Sequence, residues 1–243
     1  MDWDYSRHYA RFHADTPEHD AQLHALFQRW LGAHLPADKN TALLDVGCGR
    51  GYALGWLQGL GYTQLAGIDP DAGQVAFAQS RGLNVQRAVD TVDFLRGRTG
   101  AYDFVLLMDV LEHVPHAAQG ALLRAIHAAL RPGGRLLCTV PNADSPLASR
   151  WRHIDYTHHL LFTVESLEFV LSQTGFRVER LHAAEFIGGP RLLCWPPTRR
   201  TLRWWLCRLG RLQPRLACLG ELGWHDGWRI PLSPNLLTVA VRE

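Results

Sequence analysis

The chain is poor in lysine, lacks paired cysteines and has no long apolar run. Its only lysine is Lys39, so it contains no Gly-Lys-Ser or Gly-Lys-Thr phosphate loop, and we do not expect triphosphate binding. No run of about eighteen apolar residues is present, and we therefore expect no membrane-spanning helix. The first residues lack a basic segment followed by an apolar one, so no signal peptide is expected.

The cysteines also give no indication of a catalytic role. They are five, an odd number without a Cys-x-x-Cys pair, which argues against a closed disulfide set and favours a cytoplasmic protein. Cys48 and Cys138 fall in predicted buried positions and are expected to be small core residues. The 243 residues, 47% of them hydrophobic, suffice for one α/β domain, and a net charge of +2 is too small to indicate nucleic acid binding.

What the chain does have is a glycine-rich turn after an apolar run. Residues 43–51 read LLDVGCGRG, and their glycines let the backbone turn sharply and approach a ligand, while a helix beginning near Gly51 would point its free N–H groups at that ligand. Asp69 ends the next predicted strand, where a ribose-binding carboxylate is expected. Tyr52 stands where a dinucleotide fingerprint needs glycine. The alternative is a structural turn, with Asp69 as a helix N-cap ahead of Asp71.

Strands and helices alternate along the rest of the chain. This alternation favours an α/β fold with a doubly wound, mostly parallel, seven-stranded sheet. Apolar runs predict the strands at 42–47, 64–69, 83–88, 103–108, 134–141, 177–184 and 235–242. Amphipathic periodicity predicts helices at 19–35, 52–60, 71–80, 117–130 and 163–174.

Four segments, in order, resemble motifs of the class I S-adenosylmethionine-dependent methyltransferases. They are LLDVGCGRG at 43–51, GIDPD at 67–71, YDFVLLMDVLEHV at 102–114 and the PGG turn at 132–134. The resemblance covers roughly residues 40–185. It implies a Rossmann-like methyltransferase fold with an antiparallel last strand, and S-adenosyl-L-methionine as cofactor.

The same resemblance implies a set of cofactor-binding residues. The glycine turn would cradle the methionyl portion, and Asp69 would accept hydrogen bonds from the ribose hydroxyls. Met108 would contact adenine or the sulfonium region, or else fill the core. An aromatic arm with Trp3, Tyr5, Tyr9 and Phe12 would fold over the methionine end, or else pack in the core. The full set is Asp45, Gly47, Cys48, Gly49, Gly51, Asp69, Met108, Asp109 and Tyr9.

A narrower resemblance concerns residues 155–176. Their sequence, DYTHHLLFTVESLEFVLSQTGF, is similar to that of bacterial methyltransferases encoded with polysaccharide-assembly enzymes, which implies a sugar hydroxyl as acceptor. An alcohol needs a base near its proton, and histidine is the usual one. We predict His158 as base, Asp155 as the group that sets its tautomer, and His113 as a further catalytic candidate. Alternatively, Asp155 only ties the loop to a helix N-terminus at Thr163.

No metal site is predicted. His158 and His159 are adjacent and would point in different directions on an extended loop, and no helical His-x-x-x-His pair supports them.

A basic segment precedes the last strand. Seven arginines lie between Arg191 and Arg215, and no acidic residue follows until Glu221. On a helix the leucines of 199–216 gather on one side and the arginines on the other, which predicts contact with a membrane surface. The alternative is a lid that packs on the domain or on a second subunit of a homodimer. Gly210 and Pro214 limit the helix length, and the tryptophans lie near the apolar face, which does not favour nucleic acid.

Together these patterns predict an S-adenosylmethionine-dependent O-methyltransferase. Its acceptor is expected to be a sugar hydroxyl of a glycan, nucleotide-sugar or lipid-linked molecule in bacterial surface-polysaccharide assembly. The alternatives are a quinone- or phenol-directed O-methyltransferase and a non-catalytic cofactor-binding sensor or scaffold. We expect a cytoplasmic protein, peripheral at the inner membrane face if the basic segment binds lipid. One domain is predicted, with an aromatic arm and helix at 1–40, a cofactor-binding core at 41–187, a basic amphipathic insertion at 188–234 and a final strand at 235–243.

Overall fold

The computed structural model describes Tyr9, residues 13–186 and residues 198–243, except for the side chain of Arg200. Its strands are β1 (Leu43–Val46), β2 (Leu65–Asp69), β3 (Val85–Arg87), β4 (Tyr102–Met108), β5 (Leu130–Pro141), β6 (Phe176–Ala184) and β7 (Asn235–Arg242). They form one sheet in the order β3-β2-β1-β4-β5-β7-β6. The first five strands are parallel, and β7 runs antiparallel between β5 and β6. The predicted fold class is confirmed.

The helices flank this sheet near the predicted positions. They are α1 (Pro17–Trp30), α2 (Tyr52–Gly59), α3 (Ala72–Ser80), α4 (Thr91–Leu95), α5 (His116–Ala129), α6 (Ala148–Ile154), α7 (Val164–Ser172), α8 (Arg199–Gly210) and α9 (Leu212–Arg229). The sequence pattern missed α4 and α6, which have only 5 and 7 residues. Helical periodicity is readable only over windows of about 11 residues or more.

Two apolar layers cover the sheet, one on each face. Successive strand side chains point to opposite faces, so Leu43 packs with α1 and α2, while Leu44 packs with α5 and α7. Burial on both faces explains why the parallel strands read as continuous apolar runs. Cys138 is buried in one of these layers and Cys48 in a smaller apolar cluster, both as predicted.

The strand order creates a crevice between β1 and β4. From β1 the chain moves outward to β2 and β3, and β4 then returns to the other side of β1. In open parallel sheets ligands bind at the carboxyl ends of the strands where the order reverses. The glycine turn follows β1 at this point, and Met108 ends β4 beside it.

The basic segment forms two helices instead of the single predicted one. The chain breaks at Arg211 between α8 and α9, beside Gly210 and Pro214, the residues expected to limit the helix length. Gly223, with a φ of 79°, interrupts α9. Among the described residues no helix is both long enough and apolar enough to cross a bilayer.

The alternative of a lid whose apolar side packs on the domain, with its arginines in solvent, is wrong for this segment. The apolar residues face solvent: Leu202, Trp205, Leu206, Leu209, Leu212 and Leu216 are all exposed. Two of the arginines turn towards the protein. Arg211 Nη2 lies 2.8 Å from Glu185 Oε2, and Arg215 donates to the carbonyl oxygens of Gly227 and Ile230. A helical projection separates two faces, but it cannot say which one meets the domain, and here carboxylate and carbonyl acceptors draw the arginines inward.

Candidate functional site

Three left-handed glycines form the turn between β1 and α2. The φ angles of Gly47, Gly49 and Gly51 are +71°, +52° and +73°. A Cβ at Gly47 would lie 2.4 Å from Val110 Cγ2, and one at Gly51 would lie 2.5 Å from Leu83 Cδ1. Packing therefore requires glycine at both positions, as in the structural turn that the sequence analysis gave as the alternative. At Gly49, which is also buried, the nearest atoms to a Cβ would be those of the Tyr9 ring, with the hydroxyl at 3.1 Å.

Asp69 is fixed beside this turn by the backbone. Its Oδ2 accepts a hydrogen bond from Gly49 N at 2.8 Å, and its Oδ1 accepts one from Asp71 N at 2.9 Å. Asp71 itself caps α3 by accepting from Gln74 N at 2.9 Å, so the N-cap alternative for Asp69 is wrong. Burial raises the pKa of Asp69, and its two backbone hydrogen bonds oppose this rise. A carboxylate has about four acceptor sites, which leaves room for two hydroxyl donors.

A second carboxylate, Asp45, lies in β1 close to Asp69. The Asp45 side chain is buried, and this burial, followed by repulsion from Asp69, raises its pKa to about 8. Cys48 differs, because its side chain packs in the core with Leu54 and Val85. Burial raises the pKa of the Cys48 thiol, so this residue can contribute to a ligand site only through its backbone.

Tyr9 and Met108 flank the turn from two sides. The Tyr9 ring stacks on His13 with centroids 4.0 Å apart, and burial raises the pKa of the Tyr9 phenol. Met108, at the end of β4, is partly buried and packs against the same apolar cluster as Tyr9. Tyr9 and Met108 both take part in core packing, which was the alternative to cofactor contact for each of them. The other arm residues, Trp3, Tyr5 and Phe12, lie outside the described residues.

Asp109 supports the edge where β4, β5 and β7 meet. Its Oδ1 accepts from Thr139 Oγ1 at 3.0 Å and from Asn235 Nδ2 at 2.7 Å. With a φ of 52° it is the one non-glycine residue with a positive φ in the part of the chain that the structure describes. Such a conformation costs on the order of 1–3 kcal/mol and persists where the surroundings impose it.

A short 3-10 turn, Leu111–His113, follows Asp109 and is fixed by hydrogen bonds from α5. Gln119 is buried in α5, and its Nε2 donates to the Leu111 and Val114 carbonyl oxygens at 3.2 and 3.1 Å. The loop after α6 is attached to the same turn, because His159 N donates to Glu112 O at 2.7 Å. These bonds bring the predicted loop residues to the end of β4.

His113 is oriented by a relay of hydrogen bonds. Its Nδ1 lies 2.7 Å from Thr157 Oγ1, which lies 2.7 Å from Asp155 Oδ1. The hydroxyl has one proton, and Asp155 accepts it, so the Thr157 oxygen accepts from His113 Nδ1–H. Asp155 thus sets the tautomer of the neutral His113 ring, with the proton on Nδ1.

His158 is oriented differently from the prediction. Its Nδ1 lies 2.7 Å from the carbonyl oxygen of Trp151, and a carbonyl can only accept. Trp151, not Asp155, therefore sets the tautomer of the neutral His158 ring, again with the proton on Nδ1. The His113 and His158 rings lie 4.6 Å apart, edge to face. The sequence named both histidines but did not predict that they meet.

Glu112 was missed by the sequence analysis. Its side chain is only 1% exposed, and within the described residues its Oε2 has no hydrogen-bond partner. Burial raises the pKa of Glu112 well above its usual value, and repulsion from Asp109 and Asp155 adds to the rise. One ligand atom each of Glu112, His113 and His158 lies within 4.8 Å of the others. The sequence does show Glu112 next to His113 in the segment MDVLEHV. It gives no sign that the Glu112 side chain is buried.

Depressions elsewhere on the surface do not coincide with these residues. One of about 370 Å³ is lined by Leu54, Tyr62 and Leu83 among others, at the amino ends of β2 and β3. Ligands of parallel sheets bind at the opposite edge, so we assign it no role.

Comparison with known proteins shows the family of the chain. Residues 16–181 match the family described as a methyltransferase domain. Two curated relatives are named ubiquinone biosynthesis O-methyltransferase. The one from Methylocella silvestris is 31% identical over 145 residues, which cover 55% of this chain and 56% of that protein. The one from Xanthomonas axonopodis is 37% identical over 138 residues, which cover 53% and 55%. The chain thus spans about half the length of these curated relatives.

Solved structures share the fold across almost the whole chain. A SAM-dependent methyltransferase from Archaeoglobus fulgidus superposes with a TM-score of 0.68 at 19% identity, covering 98% of this chain and 100% of that one. An S-adenosylmethionine-dependent methyltransferase from Mesorhizobium loti gives 0.60 at 22% identity, covering 91% and 100%. At these identities the likeness shows the fold alone.

Proposed function

The chain belongs to the methyltransferase domain family, of the class that uses S-adenosylmethionine, and we propose that it transfers the methyl group of this cofactor to a hydroxyl oxygen. One observation carries the proposal: two different polar sites adjoin at one sheet edge. Asp69 and the glycine turn form the first, and His113 with His158 forms the second. They adjoin because Val110, two residues before Glu112, packs on Gly47.

The residues at the first site fit the cofactor. Asp69 retains acceptor capacity for two ribose hydroxyls, and the turn that carries Gly49 is bonded directly to it. Asp45 would supply a second acidic side chain near the cationic methionyl amino group. Asp109 would act by fixing the end of β4, and Met108 and Tyr9 would supply apolar contact. When bound, the cofactor contributes an electrophilic methyl group on a sulfonium.

The second site would position the acceptor and accept its proton. The Trp151 carbonyl holds a proton at His158 Nδ1, so that in the neutral ring Nε2 would be the nitrogen that acts as base. His113, held by Thr157 and Asp155, would orient the acceptor hydroxyl. Holding oxygen and methyl in near-attack geometry is worth roughly 7–11 kcal/mol of the barrier.

For the acceptor we propose a sugar hydroxyl of a glycan, nucleotide-sugar or lipid-linked molecule. The polar character of the second site, with two histidines and the carboxylates Glu112 and Asp155, supports a hydroxylated, polar acceptor. A phenol or quinone-type acceptor is the second candidate, and the names of the curated relatives support it.

Methyl transfer tests the proposal directly. Protein and methyl-labelled cofactor are incubated with a panel of sugar and catechol acceptors, and labelled product is counted. We expect transfer to one class and a loss of about 10²–10⁴-fold for His158→Ala. His153→Ala, an exposed histidine of α6, is the matched control and should keep the wild-type rate. Transfer to no acceptor by protein that binds the cofactor would favour a sensor or scaffold instead.

We further propose that α8 and α9 contact an anionic membrane surface. Their exposed apolar side chains include Trp224 and Leu216, at 72% and 68% exposure. The exposed Arg203 and Arg208 on α8 match a negatively charged partner, and each cation near such a surface contributes about 1 kcal/mol. A lipid-linked acceptor would then be met where it resides.

A further inference from the structure

An unpaired carboxylate oxygen in the protein interior requires an explanation. Glu112 Oε2 is buried without a hydrogen-bond partner among the described residues, and buried carboxylates are normally paired or coordinate a metal. Nearby Asp109 and Asp155 are acidic as well. The local excess of carboxylates would be neutralised by a cation better than by a neutral hydrogen-bond donor.

The two histidines beside Glu112 are held in the manner of metal ligands. Histidines that bind a metal through one ring nitrogen usually donate the other N–H to a carbonyl or a carboxylate, which fixes the ring. His158 donates Nδ1–H to the Trp151 carbonyl, and His113 donates Nδ1–H to Thr157, which donates to Asp155. In its neutral form each ring then has Nε2 as the unprotonated nitrogen, the form that a metal needs.

We propose that Glu112, His113 and His158 form a binding site for a divalent cation of the zinc class. Two imidazoles and one carboxylate are a ligand set of catalytic zinc sites, in which a fourth position stays open. Ligand atoms around tetrahedral zinc are about 3.3 Å apart, given bonds of about 2.0–2.1 Å. The three candidate atoms lie within 4.8 Å of one another, so closure needs side-chain shifts on the order of 1 Å.

The prediction that the chain has no metal site was based on a different pair of histidines. It rested on the adjacent His158 and His159, and His159 is indeed exposed. The three ligands instead come from two places, the 3-10 turn after β4 and the loop after α6. A span of 44 residues separates His113 from Thr157, so the spacing of short metal motifs could not reveal the site.

This inference deepens the proposed function and rests on it for its chemical role. The acceptor hydroxyl would occupy the open position, where the cation lowers its pKa. The acceptor oxygen releases its proton to solvent and bonds to the methyl carbon as the sulfur–carbon bond breaks, and the neutral thioether leaves. His158 Nε2 would then hold the cation instead of taking the proton.

Metal binding is measured without any acceptor. Chelator-treated, folded protein is titrated calorimetrically with Zn²⁺, and separately with Co²⁺ while visible absorption is recorded. We expect one equivalent of each, with a cobalt spectrum typical of nitrogen ligation. Glu112→Gln and His113→Ala should each weaken Zn²⁺ binding by at least about 10-fold, in line with the loss of a ligand. His159→Ala, the exposed neighbour, should bind like wild type.

The controls separate this inference from the proposed function. Binding of S-adenosylhomocysteine by every variant confirms that it is folded. No Zn²⁺ uptake by folded wild type, or equal uptake by Glu112→Gln and His113→Ala, overturns the metal site. Intact Zn²⁺ binding with no methyl transfer to any acceptor overturns the proposed function and leaves the metal site standing. Methyl transfer that persists after chelation leaves His158 as the base.

Discussion

The carboxyl edge of the sheet and the helical pair α8–α9 are built in opposite ways. At the edge, polar groups are buried and bonded in place: Asp69 accepts two backbone hydrogen bonds, and Gln119 holds the turn that carries His113. In the helical pair, large apolar side chains such as Trp205 and Trp224 are exposed to solvent.

This difference indicates two kinds of ligand. A site whose polar groups are already oriented loses little entropy when a small polar ligand binds, as catalysis by positioning requires. An exposed apolar surface gains free energy only when an extended apolar partner covers it. The edge therefore suits small polar ligands, and the helical pair is consistent with the bilayer contact that we propose for it.

The largest expected effect is on membrane binding, which we assign to the helical pair and not to the edge. Leu206→Ser with Leu209→Ser should reduce binding to anionic vesicles by about 100-fold or more, because burying each leucine contributes roughly 1.5–3 kcal/mol. Co-sedimentation with vesicles of phosphatidylglycerol and phosphatidylcholine measures this. Phe169→Ser, at an exposed aromatic residue of α7, is the control and should not change vesicle binding. Unchanged vesicle binding by the double variant, or loss of a solution dimer instead, contradicts membrane contact.

Next in size is a change to the glycine turn. Gly47→Ala should lower the free energy of unfolding by about 2–4 kcal/mol, because a left-handed alanine costs roughly 1–2 kcal/mol and its Cβ would clash with Val110. Gly55→Ala, in α2 where a Cβ meets no atom within 4 Å, should instead stabilise by about 0.5–1 kcal/mol. Denaturant unfolding measures both. Equal effects would show that the turn is not constrained as described.

The buried carboxylate of β1 predicts a pH dependence. The pKa of Asp45 rises from 3.8 to about 8 on folding, so the folded protein holds this proton more tightly. The stabilisation is complete below about pH 4 and is lost as pH rises through about 8, at up to about 1.4 kcal/mol per pH unit. The stability of Asp45→Asn relative to wild type should therefore increase from pH 5 to pH 8. A constant difference in thermal unfolding across this range would contradict the assignment.

The smallest effect concerns the attachment of the helical pair. Glu185→Gln removes the carboxylate that pairs with Arg211 and should cost less than about 1 kcal/mol, because both side chains are partly exposed. Urea unfolding measures it, with Glu165→Gln as the control. A cost above about 3 kcal/mol would mean that this ion pair anchors the core.

Local patterns predicted the fold and the first site better than the second. The glycine turn, Asp69 and the apolar strands are encoded by adjacent residues, and the structure places all of them near the predicted positions. The meeting of His113 and His158 depends on loop contacts such as His159 N to Glu112 O, which no local pattern contains. Glu112 was overlooked because its burial arises only from tertiary packing.

The central claim, a cofactor site at Asp69, is tested most directly by calorimetric titration with S-adenosylhomocysteine. Wild type should bind at micromolar concentrations and ignore NAD, because Tyr52 replaces the third glycine of the dinucleotide fingerprint. Asp69→Ala should weaken binding by at least about 100-fold, since hydrogen bonds to a charged group contribute roughly 1.5–3 kcal/mol each. No binding by folded wild type, or equal binding by Asp69→Ala, would contradict the account.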